Sequence, residues 1–492
     1  MPAASCFFAV DLGASSGRTA LVRLDEQNRV SLEETHRFAN GPVERGDGLC
    51  WDVDGIFREI THGLAVAAER AERLDGIGVD TWGVDYALLD ADGSLGTPPR
   101  HYRDPRTNGV MDRLLQRRSR ESIYGRTGIQ FMPINTIYQL ATEDWGRLAD
   151  DSRLLFMPDV FNYWLCGVAG SDATIASTSQ LYDAAAGEWV VELLAEVGAP
   201  ASLMPAVAAP GTVLGPLRPE VARQAGLAHQ PPVIAAAGHD TACAVAAVPA
   251  TEGPWAYISS GTWSLVGVEL PASKRDQEAL ADGFTNEAGA AGTVRFLRNV
   301  AGLWLLQECR RAWAEAGESL SFEQISTLAK EAKPHRSLLN PDAAAFLEPG
   351  DMPRRIVEWC KCKGEPVPRT VGEFARCVLE SLALTYRAVL ERLNTHLPGP
   401  VERLHVVGGG SRNDLLNQFT ADACGLPVIA GPSEATVLGN GLLQALAVGR
   451  ISSLAELRGI VRTSTELRYF QPNDTSAWLD AARRYEKLAG PA

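Results

Sequence analysis

Two aspartates in this chain stand where a short apolar run gives way to small and hydroxyl-bearing residues. Asp11 lies in FFAVDLGASSGR (residues 7–18) and Asp240 in GHDTA (residues 238–242). A carboxylate at a strand exit can hold a hydrated cation or accept a proton, and neighbouring glycines such as Gly13 and Gly17 let backbone amides face an anion. Two further glycine turns follow later, SSGTWS (residues 259–264) and GGGSRN (residues 408–413). Read alone, each fits a plain turn as well as a ligand loop. Taken together they suit phosphoryl transfer, which needs a metal to neutralise phosphate charge, donors to cradle the phosphates and a base for the attacking hydroxyl. Asp11 suits the metal role and Asp240 the base. No Lys follows Gly17 as a Walker A loop requires, and Asn413 stands where a dinucleotide fingerprint needs its third glycine, so those scaffolds are excluded.

The elements that must position these residues follow from periodicity. Residues 7–10 read as a buried strand, and residues 19–24 and 30–38 as strands of an antiparallel meander. Ile56, Ile60, Leu64, Ala67 and Ala71 recur at helical spacing across residues 53–74. Strand-like runs at 77–80 and 86–89 bracket DTWGVD, which places Asp80, Trp82, Gly83 and Asp85 at one sheet edge. A helical, loop-rich insert is expected over residues 111–228, including a helix over 134–148. The strand at 233–236 then leads through His239 into a helix over 241–248. In the second half a hairpin at 255–260 and 262–269, a long helix over 371–394, a strand at 404–407 and helices over 413–424 and 435–448 repeat the order of the opening. The Pro- and Gly-bearing connector at 249–254 divides the chain into domains 1–248 and 249–492.

At 492 residues the chain exceeds what one hydrophobic core supports, which predicts more than one domain and a cleft between them. A net charge of −14 disfavours nucleic acid and anionic membrane as partners, while a metal-complexed nucleotide stays compatible. The N-terminal residues lack the basic and apolar regions of a signal peptide or anchor, which predicts a cytoplasmic protein. Nine cysteines, scattered and odd in number, predict reduced thiols. Cys360, Cys362 and Cys377 approach one another in sequence without the pairing that a zinc site requires.

The series DLGASSGR, DTWGVD, YRDPRT, GHDTA, SSGTWS, NVAGLWLLQE and VGGGSRNDLLNQ, in this order and over nearly the full length, resembles the FGGY carbohydrate kinases. The resemblance implies an α/β fold of two ribonuclease-H-like, actin-like ATPase domains, each a mixed sheet flanked by helices, closing on a central cleft. It implies phosphorylation of a ketose, L-rhamnulose, from ATP with Mg²⁺, and Asp240 as proton acceptor. By the same resemblance Ala14, Ser15, Ser16, Gly17, Arg18 and Thr262 meet the ATP phosphates, and Gln307 and Gly409 line the nucleotide site. Gly83, His239, Asp240, Thr241 and Asn299 contact the sugar. Asp11 serves Mg²⁺ through water, and a monomer and a dimer are both compatible. A sister kinase for another ketose or polyol, and an actin-like or chaperone-like ATPase module, are the alternatives. A carboxylate at 240 facing a small-molecule pocket favours a kinase over the module.

Overall fold

The computed structural model describes residues 4–489 apart from 47, 149, 150, 251 and 474. The chain forms two compact units: residues 1–251, 269–296 and 435–464 make the first, and residues 252–268, 297–434 and 465–492 the second.

The first unit is built on a six-stranded sheet. Its middle strand, Ser5–Leu12, pairs antiparallel with Ser16–Leu24 and parallel with Gly76–Thr81, which pairs parallel with Pro232–Ala235. Val30–Ala39 and Thr212–Pro216 form the two edges. Alternation along the middle strand sends Phe8, Val10 and Leu12 into one core with Ile56, Ile60, Leu64 and Ala67 of the helix Val53–Arg70. Helix Ala435–Ala447 also packs on this sheet and on the helix Asp240–Ala246. Gly439 permits that approach, because a Cβ there would collide with the carbonyl of Cys243.

The insert carries its own apolar cluster, in which Tyr86 and Leu88 of the strand Tyr86–Leu89 pack with Ile137, Leu154, Ile175 and Leu193. The helix expected over 134–148 is confined to Thr136–Leu140, followed by a single 3₁₀ turn at Trp145–Arg147. After Leu140 the Thr142 and Glu143 amides donate to the carbonyls of Gln139 and Leu140, three residues back, so the α-helical ladder is not continued.

In the second unit, Trp255–Ser260 pairs antiparallel with Trp263–Leu270 and parallel with Arg403–Val407. Arg403–Val407 in turn pairs parallel with Val428–Ala430, which carries antiparallel Arg468–Phe470. An opening hairpin whose first strand takes a parallel neighbour on its other side is thus common to both units. Helix Val371–Thr395, capped by the Thr370 side chain accepting from the Glu373 amide, buries Val378, Leu382, Val389 and Leu393. It packs against Phe322–Glu331 and Asp414–Cys424. All nine cysteines are free thiols.

Candidate functional site

In the first unit three turns converge at the ends of parallel strands. Asp11 and Asp80 are register partners on Ser5–Leu12 and Gly76–Thr81. The Thr81 amide donates to the Gly238 carbonyl at 2.9 Å and the Trp82 amide to the Leu12 carbonyl at 3.1 Å, which stitches DTWGVD to both GHDTA and DLGASSGR.

In the first of these turns the Gly13 amide donates to the Ser16 carbonyl at 2.9 Å. Asn40 ties the loop from outside, its amide reaching the Ser15 carbonyl and its Nδ2 the Gly13 carbonyl. Ser15 and Ser16 are exposed and Ala14 half-buried. Gly17 is required by packing, since a Cβ there would strike the Phe38 ring. Arg18 donates through both Nε (2.8 Å) and Nη2 (2.7 Å) to Oδ2 of Asp11, an ion pair in which both side chains are largely buried.

Asp240 opens the helix Asp240–Ala246. Its Oδ1 accepts from the amide and the hydroxyl of Thr241, and the side chain keeps 31% of its accessibility. Burial pushes its carboxyl above the ordinary range and Asp11 adds to this, while His239 opposes it. His239 Nε2 lies 3.4 Å from Asp240 Oδ1, and a Cβ on Gly83 would stand 3.4 Å from the same nitrogen. Gly83 therefore lies against the His239 ring and Thr178. Gly83 is thus a neighbour of His239, which adjoins Asp240 and Thr241 in the chain. Asp172 and Thr174 support them from the insert: Asp172 Oδ1 accepts from the Gly238 amide at 2.9 Å and Thr174 Oγ1 from the His239 amide at 3.1 Å.

Asp80 and Asp85 take roles that spacing did not reveal. Asp80 is fully buried; burial and then Asp11 drive its carboxyl well above the usual range, and its Oδ1 has no hydrogen-bond partner. Asp85 accepts four hydrogen bonds, from Trp51 Nε1, Trp82 Nε1, the Tyr102 amide and Gln139 Nε2. The Trp51 and Trp82 rings lie 4.0 Å apart over it. Between these aspartates Val84 holds φ of +70°, a conformation strained for a β-branched residue. Its amide donates to Thr178 Oγ1 at 3.2 Å, and its carbonyl accepts from Thr136 Oγ1 at 2.6 Å.

In the second unit Thr262 Oγ1 donates to Gln307 Oε1 at 3.3 Å, so two of the predicted nucleotide residues meet. Within GGGSRN the glycines divide in role. Gly408 has φ of +81° and passes close to the Ser260 carbonyl, and a Cβ on Gly410 would collide with the Ser260 side chain. Gly409 is exposed and faces open space. Asn299 is half-buried on the strand Val294–Ala301.

This arrangement agrees with what the chain is similar to. A protein of Bacteroides thetaiotaomicron named rhamnulokinase is 48% identical over 480 residues, covering 97% of each chain. A rhamnulokinase of Bacillus subtilis is 40% identical over 469 residues, covering 95% of this chain and 96% of the other. In fold, the chain superposes on a ligand-bound xylulose kinase from Lactobacillus acidophilus with a TM-score of 0.78 at 16% identity, covering 99% of this chain and 96% of that one. A Plasmodium falciparum glycerol kinase with ADP gives 0.77 at 13% identity, over 99% of both chains. Residues 6–247 match the N-terminal domain, and residues 256–448 the C-terminal domain, of the FGGY family of carbohydrate kinases. On this evidence the chain belongs to the FGGY family of carbohydrate kinases.

Proposed function

We propose that this chain transfers the γ-phosphoryl group of MgATP to the 1-hydroxyl of L-rhamnulose, releasing L-rhamnulose 1-phosphate and MgADP in the cytoplasm. The observation that carries the reading is the Asp240 carboxylate, anchored through Oδ1 to Thr241, one-third accessible and flanked by His239 and Gly83. The rhamnulokinase name borne by near-full-length relatives supports the choice of sugar.

A sugar hydroxyl is a weak nucleophile, so the base must lie within hydrogen-bond reach of its proton. Oδ2 of Asp240 takes that proton as the oxygen attacks phosphorus, and burial raises the basicity of the carboxylate toward the working pH. His239, Thr241, Gly83 and Asn299 orient the ketose, while the segment from Ala14 to Arg18, with Thr262, meets the phosphates. Gln307 and Gly409 line the nucleotide site. In this reading residues 1–248 carry the base and most of the sugar and phosphate contacts, and residues 249–492 bind the nucleotide and add Asn299 and Thr262.

Magnesium supplies the positive charge that offsets the phosphates. Asp11 and Asp240 raise the proton affinity of Asp80, Asp11 raises that of Asp240, and Asp80 Oδ1 is buried without a hydrogen-bond partner. Arg18 offsets only part of that charge, so the residues suit a hard divalent ion, with Asp11 holding it through water.

The test is an ATP-coupled screen of the purified protein against ketoses and polyols. ADP release that depends on L-rhamnulose is expected. Release driven better by another ketose or polyol would make it a sister kinase, and release without any sugar would make it an ATPase module.

A further inference from the structure

Arg295 is completely buried in the first unit, where Nε and Nη2 make hydrogen-bond contacts and Nη1 faces Glu287 in an ion pair without hydrogen-bond geometry. Nε donates to the Ala288 carbonyl at 3.1 Å, Nη1 lies 3.1 Å from Glu287 Oε2, and Nη2 lies 3.0 Å from His239 Nδ1. Glu287 Oε2 is itself 3.3 Å from that same Nδ1. Glu287 and Arg295 come from the strand Thr285–Ala288 and the beginning of the strand after it, Val294–Ala301, so one hairpin delivers the ion pair to the back of His239.

A guanidinium has donors and no acceptor. Its contact therefore makes Nδ1 the accepting nitrogen and leaves the ring proton on Nε2. That nitrogen lies 3.4 Å from Asp240 Oδ1 and borders the space that a Cβ on Gly83 would fill. A buried Arg–Glu pair adds little net stability over apolar packing. This pair, however, adjoins an imidazole beside the base, where its geometry selects one of two ring tautomers.

We infer that Arg295 and Glu287 are positioning residues of the sugar site: Arg295 holds His239 as the Nε2–H tautomer, which donates a hydrogen bond to an oxygen of the bound ketose next to Asp240, and Glu287 holds Arg295. This rests on the sugar-kinase reading above. With the proton on Nε2, His239 cannot compete with Asp240 for the hydroxyl proton, and it selects sugars that present a hydrogen-bond acceptor at that place.

The experiment is ¹⁵N NMR of protein labelled at histidine, without sugar, the His239 signals being assigned by their loss in His239→Gln. The expected wild-type spectrum has a protonated Nε2 and an unprotonated Nδ1. Arg295→Lys retains a donor and keeps that pattern. Arg295→Met leaves Glu287 as the neighbour of Nδ1, so the proton moves to Nδ1, and KM for the sugar rises roughly tenfold with a smaller change in kcat, as for the loss of one hydrogen bond. A wild-type spectrum with the proton on Nδ1, or an Arg295→Met spectrum and KM unchanged from wild type, overturns the inference. If Arg295→Met does not fold, the wild-type and Arg295→Lys spectra decide. The spectra involve neither ATP nor turnover. An Nε2–H tautomer in a protein that phosphorylates no ketose would therefore sink the kinase reading and not the Arg295–His239 assignment.

Discussion

Asn440 donates its side-chain amide to Oδ2 of Asp80 at 2.6 Å, joining residues 360 positions apart. Asn440 is fully buried and also reaches the carbonyls of Gly78 (3.2 Å) and Val10 (3.4 Å). Gln444, one helical turn on, donates to Asn440 Oδ1 at 2.7 Å and to the Phe8 carbonyl at 3.1 Å. The helix thus lowers amides into the ends of two parallel strands. Asn440→Leu removes the donor from a buried carboxyl and takes from Gln444 one of its two acceptors, leaving the Phe8 carbonyl. It is expected to lower the stability of the first unit by about 2–3 kcal/mol, read as an earlier urea midpoint. A midpoint equal to wild type would show that the network does not contribute.

Asp240→Asn keeps the shape of the helix start and removes the proton acceptor. Turnover should fall by about 10² to 10⁴ or more, with nucleotide affinity largely retained in a direct binding measurement. Near-normal turnover would eliminate Asp240 as the base.

Asp11→Ala takes away both a carboxylate of the cluster and the partner of Arg18. The Mg²⁺ concentration needed for half-maximal rate is expected to rise, and a titration of activity against Mg²⁺ at fixed ATP measures it. An unchanged metal dependence would remove Asp11 from that role.

Asp85 makes a prediction about pH. Burial raises its pKa to about 6 despite four donors that lower it. An unfolded carboxylate titrates near 4, so between roughly pH 4 and 6 the folded protein holds a proton that the unfolded chain has lost. Stability from this group is fully present below that window and is lost as pH rises through it. The difference in unfolding free energy between wild type and Asp85→Asn should therefore shrink as pH rises from about 4 to 6 and stay flat above. A difference independent of pH would mean that Asp85 titrates as an exposed carboxylate.

Much of the site was legible because its residues sit in short local patterns. DLGASSGR, GHDTA and SSGTWS could each be placed at a strand end from periodicity and glycine alone, and the common plan of the two hairpins was visible in their order. Several structural roles were not. Asp85 stood in a recognised motif, but its four donors come from residues 51, 82, 102 and 139, and no spacing rule links them. Glu287 and Arg295 stand in none of the motifs, and only their burial on one hairpin reveals the pairing. Gly17 read as a phosphate glycine, yet its want of a side chain is set by the Phe38 ring, a steric demand invisible in one dimension. The expected helix over 134–148 stops at Leu140, where the Thr142 and Glu143 amides turn to carbonyls three residues back, a local tightening that apolar spacing does not show.

Helices Ala435–Ala447 and Leu454–Ser464 belong to the first unit although they are encoded near the end of the chain. During synthesis the first sheet therefore waits, its Asp80 side lacking Asn440 and Gln444, until about residue 464 has left the ribosome. The second unit's opening strands emerge in the meantime. A fragment ending at residue 248 would be a sheet without one of its covering helices, and both units are completed only by the last segments of the chain, the first by residues 435–464 and the second by residues 465–492.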